Sequence, residues 1–196
     1  MSAEASPPSP AEKLARIHAC DSPVESLLEI MRILRDPQGG CAWDVEQTLE
    51  SLTKHTIEEA YEVADAVERC DIADLKDELG DLLLQVVFYA QIAEEDGLFS
   101  FNEIIQHVVE KLIVRHPHVF ADTEARSAGD VVDVWEGQKE KLKPRESALD
   151  GVTLGLPALM RAQKLQKRAA RIGFEWPDVS GAIEKFKEEM AEFEDA

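Results

Sequence analysis

Acidic side chains recur at a spacing of three residues near the middle of the sequence. Glu59 and Glu62 form one such pair, and Glu78 and Asp81 form another. Residues three apart lie on the same face of an α-helix, so each pair presents two carboxylates on one side. Carboxylates grouped in this way bind divalent cations, which assist the hydrolysis of phosphorylated substrates. The pattern therefore predicts metal-assisted hydrolysis of a small phosphorylated molecule.

The elements that carry these pairs are two predicted helices, at roughly 47–69 and 72–95. A short turn at Cys70 joins them, and Asp71 is suited to cap the second helix. Residues 82–90 are apolar on nearly all sides, which indicates that the second helix is central to the fold. We therefore expect a helical hairpin whose acidic residues lie beside apolar surface.

Folding the hairpin brings the two acidic pairs to one level. Opposed positions of an antiparallel hairpin have a constant sum of residue numbers, and Glu62 with Glu78 gives the same sum as Glu59 with Asp81. Four carboxylates beside apolar surface repel one another and resist ionisation. A bound divalent cation relieves this repulsion, so the convergence favours a metal site.

The chemistry of the donors narrows the choice of cation. All four are hard oxygen ligands, which suit Mg²⁺, Mn²⁺ or Ca²⁺, and neither pair contains a histidine. Mg²⁺ commonly shares its coordination shell with substrate phosphates. Two structural alternatives remain: the pairs are solvated helix faces, or Glu59 belongs to a capping box with Thr56.

Three residues further along are candidate nucleotide contacts. Lys111 and Arg115 lie four apart on a predicted helix and can neutralise phosphate oxygens, unless they form an ordinary solvated edge. Trp135 can stack on a base, although a single tryptophan is more often part of a core.

The sequence predicts a helical fold beyond the first 22 residues. No segment shows sustained alternation with period two, so the fold is predicted to be all-α. Other helices are predicted from Pro23 to a stop at Pro37, at roughly 101–115, 130–142 and 157–173, and from Asp178 onwards. Residues 1–22 are rich in Ser, Pro and charge, and we expect a mobile tail without a stable helix start.

Composition limits the classes of function. Among 196 residues, 40 are acidic and 21 are Lys or Arg, which gives a net charge of −19 and disfavours nucleic-acid polymers as partners. Three cysteines form no disulfide or zinc pattern. We expect no membrane span and no signal peptide, and hence a cytoplasmic protein.

These residues and their surroundings resemble the MazG family of nucleoside triphosphate pyrophosphohydrolases. The likeness extends over roughly residues 24–196. The segments that carry it are Gly39-Gly40-Cys41-Ala42-Trp43-Asp44-Val45-Glu46-Gln47-Thr48, Glu58-Glu59-x-x-Glu62, Glu78-Leu79-Gly80-Asp81-Leu82-Leu83, Arg115-His116-Pro117-His118-Val119-Phe120 and Leu156-Pro157-Ala158-Leu159-Met160-Arg161-Ala162-Gln163-Lys164. Ala42 and Val45 depart from the family pattern, away from the acidic pairs.

The resemblance implies an all-α bundle that completes its core and site as a homodimer or higher homo-oligomer. It also implies Mg²⁺, with Mn²⁺ as an alternative, and cleavage of an NTP or dNTP to the monophosphate and pyrophosphate for nucleotide-pool house-cleaning. The site residues that it implies are Glu59, Glu62, Glu78 and Asp81 as metal ligands, Glu58 as the catalytic residue that orients water, and Lys111, Arg115 and Trp135 as nucleotide contacts.

The same resemblance divides the chain. After the tail, we expect a first MazG-like domain at 23–145, a linker and basic helix at 146–175, and the start of a truncated second repeat at 176–196. The second repeat has a Glu-Glu-x-x-Glu motif but no following Glu-x-x-Asp. Two alternatives therefore stay open: a regulatory dimerisation module with little turnover, and a pyrophosphatase with a narrower substrate, as in dimeric dUTPases or phosphoribosyl-ATP pyrophosphatase.

Overall fold

The structure is a computed structural model that describes residues 7–121 and 147–195, with positions 129, 131 and 137 between them. Every regular element in these ranges is an α-helix, which confirms the predicted fold class. The helix predicted at 130–142 falls almost entirely outside the described residues. The helices are α1 (Pro10–His18), α2 (Pro23–Leu34), α3 (Ala42–Glu46), α4 (Thr53–Glu68), α5 (Ile72–Glu95), α6 (Phe101–Arg115), α7 (Pro117–Phe120), α8 (Ala158–Arg171) and α9 (Val179–Asp195).

The chain divides into two compact units, Met1–Ile113 and Val114–Ala196. In the first unit, α4 and α5 pack closely against each other as the predicted hairpin, α2 packs on α5, and α1 packs on α2. The buried core of this unit consists of Met31, Leu52, Val87, Phe88 and Ile92. Helix α5 is thus central, as its apolar composition predicts.

The turn between α4 and α5 has the features that the sequence predicts. Cys70 adopts a positive φ of 56°, and the amide of Asp71 donates to the carbonyl of Ala66 over 3.0 Å, which closes the end of α4. The Asp71 side chain then accepts from the amide of Asp74 over 3.1 Å and caps α5. These bonds fix the point at which the hairpin folds back.

Helix α4 begins later than predicted, at Thr53 rather than near residue 47. The side chains of Thr48 and Ser51 accept from each other's backbone amides, at 3.2 and 3.0 Å, and hold residues 48–51 in a turn. Leu52, only 1% exposed, anchors the start of α4 in the core. The short helix α3 precedes this turn.

The return from α2 to α3 depends on a glycine. A Cβ at Gly40 would overlap the carbonyl oxygens of Leu34 and Asp36, so only glycine fits this close approach. The amide of Cys41 donates to Leu34 over 2.8 Å directly after it. This turn places α3 beside the first turn of α4.

The prediction that the first 22 residues lack a helix start was wrong. Ser9 and Glu12 form a capping box, and Pro10 occupies the first turn of α1, where its missing amide hydrogen costs nothing. Arg16 pairs with Glu29 on α2 at 2.6 Å. The prolines therefore begin this helix rather than prevent it.

The second unit contains α8 and α9, close to the predicted positions. Asp178 accepts from the amide of Ser180 over 2.7 Å just before α9 begins. No helix among the described residues is both long enough and apolar enough to cross a membrane.

Candidate metal centre

Three of the four predicted ligands meet between α4 and α5. One carboxylate oxygen each from Glu59, Glu78 and Asp81 lies within 4.8 Å of the others. Glu59 comes from the second turn of α4, and the other two lie one turn apart on α5. The hairpin therefore brings together residues of both acidic pairs, as their spacing predicts.

The cluster is electrostatically strained in the absence of a counter-charge. Desolvation raises the pKa of Glu59, and the neighbouring charges of Asp81, Glu62 and Glu78 raise it further. Desolvation likewise raises the pKa of Glu78, with added repulsion from Glu62, Asp74 and Asp81. Partial burial and like charge both disfavour the ionised carboxylates here.

The fourth predicted ligand, Glu62, borders the cluster. Its charge raises the pKa of both Glu59 and Glu78. It lies outside the group of three oxygens that meet within 4.8 Å. Glu62 is therefore placed next to the cluster rather than at its centre.

The predicted catalytic residue Glu58 lies outside the group as well. Its side chain is 65% exposed, and the His55 ring lies beside it, with Nδ1 3.8 Å from Oε2. Since Glu58 precedes Glu59 in the helix, its carboxylate points about 100° around the axis from the cluster. His55 itself lies one helical turn before Glu59 on α4.

The donor set suits a hard divalent cation. The three converging groups are all carboxylates, and among the described residues no histidine or cysteine belongs to the group. A cation with charge +2 would compensate the repulsion that raises the pKa values of Glu59 and Glu78. The residues present therefore fit a Mg²⁺ or Mn²⁺ ion.

The capping-box alternative for Glu59 is excluded by the start of α4. Thr56 lies inside the helix, in its first turn, and its hydroxyl is 3.1 Å from the carbonyl of Leu52. The same hydroxyl is hydrogen-bonded to the Tyr89 hydroxyl of α5 at 3.0 Å. Thr56 therefore joins the two helices of the hairpin, and Glu59 has no capping role.

The predicted nucleotide contacts lie outside the cluster. Lys111 and Arg115 are both half-buried and lie one turn apart on α6. Among the ion pairs of the described residues, none joins Lys111 to the three carboxylates. Trp135 lies outside the part of the chain that the structure describes.

The structure adds an aromatic contact that motif spacing did not predict. The Trp43 ring of α3 meets the rings of His55 and Phe88 edge-on, with centroids 6.0 and 6.4 Å apart. Trp43 is still 53% exposed, so one side of its ring faces solvent one turn from Glu59. Only the folded return from α2 brings α3 to this place.

The Glu-rich motif of α9 is arranged differently. Lys185 pairs with Glu188 at 2.8 Å and with Glu189 at 3.1 Å, on an exposed helix surface. In α4 the equivalent position before Glu58 and Glu59 is held by His55. The two Glu-rich motifs thus differ in the side chain that precedes them, lysine in α9 and histidine in α4.

The raised pKa values predict how stability depends on pH and on cations. The folded chain holds the protons of Glu59 and Glu78 more tightly than the unfolded chain, so the associated stability is present at low pH. It is lost as the pH rises from 4.5 through the raised pKa values. We expect the Tm in chelator to fall over this range, and excess Mg²⁺ to restore it at pH 7.

Thermal unfolding of the wild type and Glu59→Gln, with chelator and with Mg²⁺, measures this effect. The substitution removes one of the repelling charges, so its Tm is expected to fall less steeply with pH and to respond less to Mg²⁺. Equal pH slopes and equal Mg²⁺ responses in the two proteins would show that the cluster does not act as described.

Comparison with known proteins identifies a family model that covers the part of the chain carrying these carboxylates. The family model for the MazG nucleotide pyrophosphohydrolase domain matches residues 47–120, which include both acidic pairs. The chain is 35% identical to a mazG-related protein from Thermotoga maritima of known crystal structure. That match has a TM-score of 0.50 and covers 59% of this chain and 98% of the other.

Two longer proteins are also similar in sequence. A nucleoside triphosphate pyrophosphohydrolase of Escherichia coli K12 is 51% identical over 172 residues, which are 86% of this chain and 65% of that protein. A nucleoside triphosphate pyrophosphohydrolase/pyrophosphatase MazG of Thermotoga maritima is 45% identical over 174 residues, or 88% of this chain and 66% of that protein. The chain therefore spans about two thirds of the length of these curated relatives.

Proposed function

This chain belongs to the MazG nucleotide pyrophosphohydrolase family, and on that premise we propose that it hydrolyses nucleoside triphosphates. The substrate is an NTP or dNTP, the products are the monophosphate and pyrophosphate, and the role is house-cleaning of the cytoplasmic nucleotide pool. The observation that carries the proposal is the convergence of Glu59, Glu78 and Asp81 within 4.8 Å. The names of the relatives with 51% and 45% identity support the same substrate class.

Glu59, Glu78 and Asp81 would hold Mg²⁺, or Mn²⁺ in its place, and Glu62 would complete the set from the edge of the cluster. When bound, the cation supplies Lewis-acid polarisation of the triphosphate and makes a water molecule more acidic. A bound cation would favour the ionised forms of Glu59 and Glu78, because it would offset the causes of their raised pKa values.

Other residues are assigned to the substrate and the water. The exposed carboxylate of Glu58 accepts the proton of the attacking water, while the water oxygen bonds to one of the two phosphorus atoms flanking the α–β bridge. The bridging bond breaks, and its electron pair leaves with one of the products. Lys111 and Arg115 neutralise phosphate charge, and Trp135 stacks on the base.

We further propose that the active form is a homodimer. On α5, Leu79, Leu83 and Val86 lie on one stripe and are 49%, 46% and 38% exposed. On α6, Ile105 and Val109 are 44% and 47% exposed. Apolar stripes of this extent are typical of surfaces that bind another protein. Light scattering should give twice the chain mass of 21.9 kDa, and a monomer at assay concentration would contradict the dimer.

Pyrophosphate release from a panel of NTPs and dNTPs, with Mg²⁺, with Mn²⁺ and with chelator, tests the activity. Metal-dependent release with monophosphate as the second product is the expected result. Nucleotide binding without turnover, by a folded sample, would instead identify the regulatory module. Turnover of a single member of the panel would identify the pyrophosphatase of narrow specificity.

A further inference from the structure

Gln85 is a buried polar residue on α5 whose side-chain oxygen lacks a hydrogen-bond donor in the part of the chain that the structure describes. Its side chain is 8% exposed, and its Oε1 is buried without a hydrogen-bond partner among the described residues. Buried polar atoms are nearly always hydrogen-bonded, because an unpaired acceptor loses its bonds to water and gains none in return. An apolar side chain of similar size would fill this place without that loss, so the glutamine calls for another explanation.

The position of Gln85 relates it to the carboxylate cluster. It lies one helical turn after Asp81 and two turns after Glu78, on the same face of α5. One turn further along, Tyr89 is hydrogen-bonded to Thr56 and joins the two helices. Gln85 therefore lies in the hairpin between the metal cluster and this bond.

On the opposite helix, α4, His55 holds a position that corresponds to that of Gln85. His55 lies one turn before Glu59 on α4, so His55 and Gln85 are both displaced by one turn from the cluster in the same direction along the hairpin. The side chain of His55 is 29% exposed, and the half-exposed Trp43 ring packs against it. Trp43 also contacts Phe88, which is one turn from Gln85 on α5. His55 and Gln85 thus each lie one helical turn from the cluster, and the half-exposed Trp43 ring lies beside His55.

The unpaired Gln85 acceptor and the half-exposed Trp43 ring suit the nucleoside part of a nucleotide, its sugar and base. With its phosphates at the carboxylate-bound cation, a nucleotide extends its sugar and base over a distance of about one to two helical turns. A sugar hydroxyl or a base N–H supplies the donor that Oε1 lacks, and an aromatic ring offers an apolar surface to the nucleoside. Because Oε1 is buried, the donor must reach into the hairpin rather than rest on its surface.

We propose that Gln85 is a substrate-binding residue that accepts a hydrogen bond from the nucleoside part of the nucleotide. This inference rests on the proposed function for the phosphate end of the site. It adds a contact on the hairpin itself, separate from the positions on α6 and at Trp135. Gln85 thereby contributes to the choice among substrates, since a ligand without a donor at that place leaves the acceptor unpaired.

Gln85→Leu tests the contact with two probes. The first is a non-hydrolysable α,β-methylene analogue of the nucleotide preferred in the panel, and the second is inorganic triphosphate, which has no nucleoside. With Mg²⁺ present, we expect the variant to bind the analogue about 10-fold more weakly and inorganic triphosphate unchanged. In turnover, KM should rise by a similar factor with kcat nearly constant. Repeating the measurement with ribo- and deoxynucleotides separates a sugar donor from a base donor.

Thermal stability distinguishes this role from a purely structural one. If Gln85 stabilised the fold, its replacement by leucine would lower the Tm. Leucine removes an unpaired buried acceptor, so the Tm of the ligand-free variant should stay the same or rise by a few degrees. The matched control is Gln91→Leu on the same helix. The Gln91 amide donates to Glu95 over 2.9 Å, so this control should lose some stability and bind the analogue normally.

The outcomes separate the inference from the proposed function. If the wild type binds the analogue and Gln85→Leu binds it equally well, the nucleoside contact is wrong and the proposed function stands. A lower Tm for Gln85→Leu would show a structural bond and would also overturn the inference. If the wild type binds neither the analogue nor inorganic triphosphate, the phosphate site fails and the nucleoside contact fails with it.

Discussion

Asp81→Asn is expected to lower metal-dependent pyrophosphate release by more than about 100-fold, since loss of even an outer contact to a metal costs 10- to 100-fold. Asp81 supplies one of the three oxygens that meet within 4.8 Å, and asparagine keeps its size while removing the charge. The reduced negative charge weakens binding of the cation and hence of the triphosphate. Activity assays and calorimetric titration with Mn²⁺ alone measure the two effects separately.

The fold should survive this substitution. Asp81 is exposed at the edge of the cluster, and its charge raises the pKa of both Glu59 and Glu78. Removing that charge relieves repulsion in the metal-free protein, so the helical signal should persist and the Tm should not fall. Loss of activity with an intact fold and weakened Mn²⁺ binding is the combined result that assigns the site.

Glu94→Gln is the matched control, because it removes one negative charge from an exposed position on the same helix. It should leave activity and Mn²⁺ binding within about twofold of the wild type, as surface charges contribute little at this distance. If Asp81→Asn retained activity and Mn²⁺ affinity equal to those of Glu94→Gln, the carboxylate cluster would not be the metal site.

The hairpin and its cluster were predictable because local rules determine them. Helical periodicity places Glu78 and Asp81 on one face of α5, and the capping preference of Asp71 locates the turn. Once the turn is located, the register of an antiparallel pair follows from residue numbers. The convergence of Glu59 with the two residues of α5 therefore required no knowledge of the tertiary structure.

Other features depend on interactions that spacing does not encode. The proline content of residues 1–22 predicts the absence of a helix start, although Pro10 at the first turn supports a helix. The late start of α4 follows from the reciprocal bonds of Thr48 and Ser51 and from the burial of Leu52. Propensity alone does not distinguish a capped turn from another helical turn, so element boundaries were the weaker part of the prediction.

The orphaned acceptor of Gln85 and the position of Trp43 are tertiary properties. Gln85 reads from sequence as one polar residue on a central helix, and only the packed hairpin shows that Oε1 is unpaired. Trp43 reaches His55 because Gly40 allows the close return of the chain after α2. Residues that act through such contacts require the packed structure for their identification.

Arg35→Met is expected to lower the free energy of unfolding by about 2–3 kcal/mol. The Arg35 side chain is 8% exposed, and its Nε and Nη2 donate to the carboxylate of Glu95 at 3.0 and 2.6 Å. Its Nη1 donates to the carbonyls of Asp44 and Gln47 at 2.5 and 3.2 Å, and the guanidinium lies 5.5 Å from the Phe88 centroid. Methionine fills the space but donates to none of these acceptors.

The stability lost in Arg35→Met should be smaller at low pH. Partial burial raises the pKa of Glu95, but the hydrogen bonds from Arg35 and Gln91 and the charge of Arg35 outweigh it, so the net pKa is lowered from 4.5. The stability from this pair is therefore present above pH 4.5 and is lost as the pH falls through the lowered pKa. Denaturant unfolding at pH 7 and near pH 3 should show a smaller difference between wild type and variant at the lower pH.

Arg32→Met, in the last turn of α2, is the control. It separates the loss of the Arg35 contacts from a general effect of removing an arginine. Arg32 is 47% exposed and approaches Glu29 only to 3.7 Å, so its loss should cost less than about 0.5 kcal/mol. Because Arg35 joins the ends of α2 and α5 to the segment that carries Trp43, its loss should also weaken nucleotide binding. Equal costs for the two substitutions would mean that Arg35 does not connect these elements and that α3 is held by the core alone.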